Sequence, residues 1–216
     1  MSTEEPPPKE APPQPRLRGF RTGRLEAFSD GVFAIAITLL VLELKVPTIP
    51  PSGVTPALLG KALLQLWPSY LALVTSFFTI LIMWMHHHAI IRNVHRTDSR
   101  LHFSNGCLLL LITFVPYPTS VLAAYLQTPA AKMAAAFYAG TFVLVAICFS
   151  IFIYGAFRPH LLSKNASAKF IEATHRSYRM GPPLYLLATL AAFVDARLSL
   201  GICTVLWIYW AAVIRG

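Results

Sequence analysis

The sequence predicts an all-α membrane protein with six transmembrane helices, and three observations support this fold class. First, 56% of the 216 residues are hydrophobic and 12% are charged, whereas a soluble domain has about 45–50% apolar and about 25% charged residues. Second, the mean hydropathy is +0.58. Third, residues 62–91, 101–131 and 133–157 contain no Asp, Glu, Lys or Arg, and each stretch exceeds the ~20 residues that a spanning helix needs. This composition excludes an ordinary soluble enzyme.

The chain divides into a short tail and a membrane domain. Residues 1–19 contain six prolines among charged residues, and such a segment cannot bury a core, so we predict a disordered tail. Residues 20–216 form the predicted six-helix domain. The expected spans are 25–45, 61–87, 99–126, 132–157, 177–195 and 197–214.

Short charge-free runs and internal prolines distinguish some of these predicted spans from simple straight helices. The first, fifth and sixth contain shorter charge-free runs, which cross the bilayer only if a flanking charge enters the membrane or the bilayer thins. Prolines at 68, 116 and 118 fall inside predicted spans and should bend them. The third helix, which carries two of these prolines, is therefore expected to be broken.

The basic residues predict the orientation. With six spans, 14 of the 18 Lys and Arg residues fall on the side that holds both termini and 4 fall on the other. Cytoplasmic loops carry the excess of basic residues, so we predict a multi-pass protein whose N- and C-termini are cytoplasmic. This distribution also accounts for the net charge of +9, so no nucleic-acid partner is expected.

The spacing of the cysteines and histidines does not match a metal site, and we expect no metal and no cofactor. Cys107, Cys148 and Cys203 each lie in an apolar run and match neither a disulfide framework nor a zinc pattern. The triplet His86-His87-His88 is consecutive, and neighbouring residues of a helix point about 100° apart. These three imidazoles cannot close on one ion without unwinding the helix.

Charged residues in the first predicted helix need partners. Arg24 and Asp30 are six residues apart, which is about 240° around a helix, so they do not face each other. We therefore expect a buried polar network that joins the first three helices and includes Ser29, with one histidine bonded to Asp30 or Ser29. A proton relay through the same groups is the alternative. The candidate partners lie at the matching depth of the second and third helices: Trp84, His86, His87, His88, His102, Ser104 and Asn105.

A second feature of the first helix is an apolar stripe. Ile35, Thr38, Leu39 and Leu42 recur at the i, i+3, i+4, i+7 spacing of one helix face. On its own such a stripe indicates packing. The sequence contains no carbonyl filter of the TVGYG kind, no nucleophile–base constellation and no nucleotide-binding loop.

The first helix also carries a motif. The run from Arg24 through Phe28-Ser29-Asp30 to Glu43 reads RLEAFSDGVFAIAITLLVLE. Its RxxxFSD pattern resembles the hallmark of the prokaryotic branch of the transmembrane-protein-175 potassium channels, whose animal members are endolysosomal. The Trp84-x-x-His87-His88 end of the second helix agrees with this resemblance, which covers about residues 20–214.

This resemblance implies a cation channel without a pore loop. Animal members carry two six-helix repeats and dimerise, so one repeat implies a homotetramer whose first helices surround a central pore. The constriction maps to Ile35, Leu39 and Leu42 extend the apolar lining, and Thr38 adds a hydroxyl layer linked to potassium preference. The implied bracing network comprises Arg24, Phe28, Ser29, Asp30, His87, His88 and Asn105.

The functional prediction is a potassium-permeable channel of the prokaryotic plasma membrane, with weak to moderate preference for K⁺ over Na⁺ and no enzymatic step. Its partners would be potassium ions, the lipid bilayer and copies of itself. The alternative is a secondary transporter or proton-coupled carrier that uses Asp30 and the histidines. A metal hydrolase fits poorly, because the second helix lacks carboxylate ligands at the depth of the histidine triplet.

Overall fold

The computed structural model describes residues 22–213, so the predicted tail, residues 1–19, lies outside the described part. The described chain is almost entirely helical, apart from a 3₁₀ turn at Pro51–Gly53 and one isolated bridge between Val94 and Leu162. The predicted all-α class is therefore confirmed. The helices are α1 (Thr22–Leu42), α2 (Pro56–Gln65), α3 (Trp67–Ile91), α4 (Ser99–Phe114), α5 (Pro116–Tyr125), α6 (Ala131–Ala156), α7 (Ala168–Arg179), α8 (Gly181–Val194) and α9 (Ala196–Val213).

Four helical stretches are long and apolar enough to cross a membrane. They are α1, α3, the pair α4 and α5 taken together, and α6. Helix α8 has 14 residues, which at about 1.5 Å per residue is shorter than the ~30 Å hydrocarbon core. The apolar part of α9 is also short, Ala196–Ala212. The first four predicted spans therefore match spanning helices, and the fifth and sixth remain predictions.

Prolines set two helix boundaries. Pro116 lacks an N–H, and the helix is interrupted at Val115, whose N–H instead donates to the carbonyl of Ile112 (3.2 Å). The expected break in the third span is thus present, between α4 and α5. Pro68 lies in the first turn of α3, where a missing N–H costs nothing. The second span therefore begins at Trp67 rather than at residue 61, because α2 is a separate helix.

The core is built around α6, which packs against α4, α5, α8 and α9. Of the 18 most apolar consecutive residues of α6, 56% are buried, whereas the corresponding share for α1 is 28%. Hydroxyl groups join three helices within this core: Ser76 Oγ lies 2.7 Å from Thr119 Oγ1 and 3.1 Å from the Tyr138 hydroxyl. Helix α1, in contrast, packs along one side only, against α3, α4 and α5.

The α3–α4 and α6–α7 connections pair with each other at one end of the bundle. The His95 N–H donates to the Leu161 carbonyl (2.8 Å). Asp98 links the two connections more strongly, because its Oδ1 accepts from the Leu101 N–H (2.9 Å), capping α4, and from Arg158 Nη2 (2.8 Å). Partial burial raises the pKa of Asp98, but the two donors together lower it by more. The pKa of Asp98 therefore lies below the ordinary carboxyl value.

We predict that Asp98→Asn destabilises the protein at neutral pH and not in acid. A depressed folded-state pKa gives stability that is present above the unfolded value of about 3.9 and is lost as the pH falls through the folded pKa. Asparagine retains the cap, so the loss at pH 7 is the ion pair, up to about 1 kcal/mol. Chemical denaturation of the purified protein at pH 7 and below pH 4 measures it.

The control is Asp195→Asn. Asp195 also caps a helix, through the Arg197 N–H (2.6 Å), and makes no ion pair within residues 22–213. It should show little change at either pH. If Asp98→Asn lowered the free energy of unfolding by the same amount below pH 4 as at pH 7, the role assigned to the carboxylate would be contradicted.

Candidate functional site

A directional chain of hydrogen bonds joins α1, α3 and α4. Asn105 Nδ2 donates to Ser29 Oγ (3.0 Å), and the Ser29 hydroxyl donates to the Leu25 carbonyl (2.8 Å). Asn105 Oδ1 therefore accepts from His87 Nε2 (2.8 Å), which places the proton of a neutral imidazole on Nε2. Ser29, His87 and Asn105 are fully buried. The chain of hydrogen bonds therefore links α1, α3 and α4, and His87 reaches Ser29 through Asn105.

Aromatic rings enclose the His87 imidazole. The ring stacks on Phe152 at 4.8 Å between centroids, and Phe33 lies at 5.4 Å. His86 points elsewhere, with its Nε2 3.0 Å from the Trp210 carbonyl. The triplet therefore diverges as helix geometry predicts, and within residues 22–213 no group of three His, Cys, Asp or Glu side chains could hold a metal ion.

A second set of contacts runs along the edge of the α1–α3 interface. Trp84 Nε1 donates to Asp30 Oδ1 (2.7 Å). One turn away, His88 Nδ1 lies 2.9 Å from Glu26 Oε1. Asp30 is therefore held by a tryptophan rather than by a histidine, and the partner of His88 is Glu26 rather than Asp30 or Ser29.

The pairing of Glu26 with His88 was not predicted from the sequence, although the residue spacing contains a signal for it. Glu26 and Asp30 are four residues apart, as are Trp84 and His88, so each pair lies on one helix face. Two antiparallel helices bring such pairs into register, with the first residue of one opposite the last of the other. Matching the two i, i+4 pairs would have predicted both contacts.

Two residues of the expected network lie outside it. Arg24 and Phe28 are exposed on α1, and Arg24 makes no hydrogen bond or ion pair with any residue in the 22–213 range. Phe28, 63% exposed, is seven residues before Ile35 and thus on the same face. The structure of one chain therefore restricts the network to Ser29, Asp30, His87, His88 and Asn105, together with Glu26 and Trp84.

The apolar stripe of α1 is left largely exposed by the other helices of residues 22–213. Ile35 is 58% exposed, Leu39 38% and Leu42 73%, and Thr38 is exposed as well, its hydroxyl donating to the Ile35 carbonyl (2.9 Å). The opposite face is buried through Leu25, Ser29, Phe33, Ala36 and Leu40. The stripe is therefore not a packing surface for another helix of the same subunit.

Comparison with known proteins identifies relatives over nearly the whole chain. The model of the family described as "Endosomal/lysosomal potassium channel TMEM175" matches residues 24–116. A potassium channel of Chamaesiphon minutus is 51% identical over 191 residues, which cover 88% of this chain and 93% of that protein. A potassium channel of Streptomyces collinus is 41% identical over 192 residues, covering 88% and 91% of the two chains.

A solved structure agrees with these matches. The crystal structure of a lysosomal potassium-selective channel TMEM175 homologue from Chamaesiphon minutus superposes with a TM-score of 0.81 at 49% identity, covering 90% of this chain and 98% of that one. The human endosomal/lysosomal proton channel TMEM175 is 28% identical over 188 residues, which are 83% of this chain and 37% of that protein. The chain belongs to the TMEM175 family of ion channels and is not an enzyme.

Proposed function

We propose that this protein is a potassium-permeable channel of the bacterial plasma membrane, a homotetramer whose α1 helices line a central pore. The observation that carries the proposal is the unpartnered stripe of Ile35, Thr38, Leu39 and Leu42 on a spanning helix. The names of the two bacterial relatives that match over nearly their whole length support potassium as the ion. Both termini lie in the cytoplasm in this proposal, in keeping with the basic residues.

The stripe suits a pore because a symmetric assembly can place the stripes of all its subunits around one axis. In a closed ring of subunits, the same surface of each subunit faces the symmetry axis. Because the opposite face of α1 packs on α3, α4 and α5, the stripe is the side of α1 left for the axis. A ring of Ile35 side chains has no group that replaces an ion's hydration shell, so it restricts passage by narrowness and dewetting.

Thr38 supplies the polar layer of the stripe. Its hydroxyl proton is donated to the Ile35 carbonyl, so the oxygen lone pairs remain available to a partly hydrated cation. Four such hydroxyls give a shallow site rather than a dehydrating filter, which accounts for a weak to moderate preference for K⁺ over Na⁺.

The buried network holds α1 in place and does not conduct in this proposal. Asp30 is occupied by Trp84, and His87 is enclosed by Phe33 and Phe152. These partners suit a brace between helices. A carrier that moves protons through Asp30 and His87 would need both groups to face the permeation path, and His87 is fully buried.

The function is tested by recording the purified protein in a planar bilayer with KCl on one side and NaCl on the other. We expect unitary currents far faster than the turnover of a carrier and a reversal potential that favours K⁺. Thr38→Ala should move the reversal potential toward zero while changing the current less than about twofold. The matched control is Thr113→Ala, because Thr113 is also exposed and donates to its own helix (2.8 Å). Slow flux without unitary steps would refute a channel.

We predict that Ile35→Asn raises unitary conductance severalfold, because a polar side chain wets the ring that otherwise excludes water. The control is Val41→Asn. Val41 is 54% exposed on the same helix but lies about 120° from Ile35 around the helix axis. It should leave conductance unchanged. Equal effects of the two substitutions, or none from Ile35→Asn in a correctly assembled protein, would remove the stripe from the pore.

We predict that Asn105→Leu destabilises the subunit by about 1–3 kcal/mol, because two hydrogen bonds between membrane helices are lost. The measurement is reversible unfolding in mixed micelles. Thr204→Val is the control, since the Thr204 hydroxyl bonds only to Leu200 of its own helix (2.9 Å). Comparable stability of the Asn105→Leu variant and the wild type would show that the network does not brace α1.

A further inference from the structure

Two hollows open on the outer surface of α4, on either side of one aromatic side chain. Both are bounded by Ser99, Phe103 and Cys107. Phe103 is 76% exposed, so its ring forms a ridge between the hollows. Because α4 belongs to a spanning stretch, this surface faces the hydrocarbon unless another protein covers it.

The walls of both hollows are mainly apolar. The first, of about 730 Å³, continues along α4 past Gly106 and Leu110. The second, of about 610 Å³, runs between α4 and α6 past Cys148 and Ile151. A Cβ added at Gly106 would meet nothing within 4 Å, so the first hollow is open space rather than a packing defect. Each hollow has the apolar lining that an acyl chain needs.

The shared end of the hollows is polar and basic. Ser99 and Arg100 begin α4, and both are exposed. Arg100 forms no hydrogen bond or ion pair within the described part of the chain, whereas the neighbouring Asp98 is neutralised by Arg158 at 2.8 Å. The unpaired positive charge of Arg100 therefore lines the second hollow, next to Ser99, which borders both hollows.

We propose that this surface binds an anionic diacyl phospholipid, with its phosphodiester at Ser99 and Arg100 and one acyl chain in each hollow beside Phe103. The lipid's two tails match the two hollows, and its single negative group matches the Arg100 guanidinium, which lies beside Ser99 at the border of both hollows. This assignment rests on charge complementarity and on the shape of the α4 surface, and does not depend on how α1 conducts ions.

Cys107 provides the reporter, because it bounds both hollows. Of the three cysteines, Cys203 is buried, whereas Cys107 and Cys148 are half-buried. In a Cys148→Ser background, maleimide labelling of Cys107 is followed in mild detergent as phosphatidylglycerol or phosphatidylcholine is added. Phosphatidylglycerol should protect Cys107 at about fivefold lower mole fraction, the contribution of one basic residue. Glycerophosphoglycerol, which has the headgroup without the chains, should not protect.

Two variants separate the headgroup from the chains. Arg100→Gln should bring phosphatidylglycerol to the level of phosphatidylcholine, and its control is Lys169→Gln, which removes an exposed charge on α7. Gly106→Leu fills the first hollow and should weaken protection by both lipids. Its control is Gly201→Leu on α9, where an added Cβ also meets nothing within 4 Å. If Gly106→Leu does not fold, Arg100→Gln alone decides the proposal.

Two results would overturn the proposal. Equal protection by the two lipids in the wild type, unchanged by Arg100→Gln, would show that the headgroup is not recognised. Cys107 could also be unreactive without added lipid and become reactive only when the assembly dissociates. That result would show that a second copy of the chain covers the hollows.

Discussion

The one-sided attachment of α1 is the constraint on which the rest of the structure depends. This helix carries Glu26, Ser29 and Asp30 into a spanning segment, where a charged carboxylate at the bilayer centre costs at least about 2.5 kcal/mol. Trp84, His88 and Asn105 supply partners for these three groups. All the partners lie on α3 and α4, so one face of α1 is held, and the other is the face that the proposed tetramer turns toward its axis.

The contacts also fix the depth of α1 along its own axis. Glu26 with His88 and Asp30 with Trp84 form two rungs one helical turn apart, and sliding α1 by a turn would leave one of the two acids without its partner. Exposed ion pairs contribute little individually, but a buried chain of directed hydrogen bonds, from His87 to Asn105 to Ser29, favours one arrangement. A fixed depth is what a pore requires if four copies of Ile35 are to meet at one level.

Much of the fold could be predicted from the sequence because the bilayer imposes simple rules. Charge-free runs located the four spanning stretches, and Pro116 located the break between α4 and α5. The start of α3 at Trp67 was not predicted, because hydropathy does not distinguish the separate helix α2 from a continuous span. Nor did the sequence predict α7, an amphipathic helix that ends at Arg179, immediately before α8. Its boundary falls at Met180 and Gly181, inside the region assigned to the fifth span.

The candidate site, like the fold, could be predicted from the sequence only in part. Helix spacing alone showed that the histidine triplet diverges and that Ile35, Thr38, Leu39 and Leu42 share a face. It left open which imidazole meets which acid, because that depends on the relative register of α1 and α3. The placement of Phe28 in the network came from resemblance alone, whereas its exposure of 63% puts it on the side of α1 that bears the stripe.

The central claim is that the stripe on α1 faces the symmetry axis of a tetramer, and a density map of the assembled protein in a lipid nanodisc tests it most directly. The account predicts a fourfold axis on which the Ile35 side chains form the narrowest point, with Thr38, Leu39 and Leu42 lining the path on one side of that ring. A map in which this stripe faces lipid, or in which another helix surrounds the axis, would contradict the account.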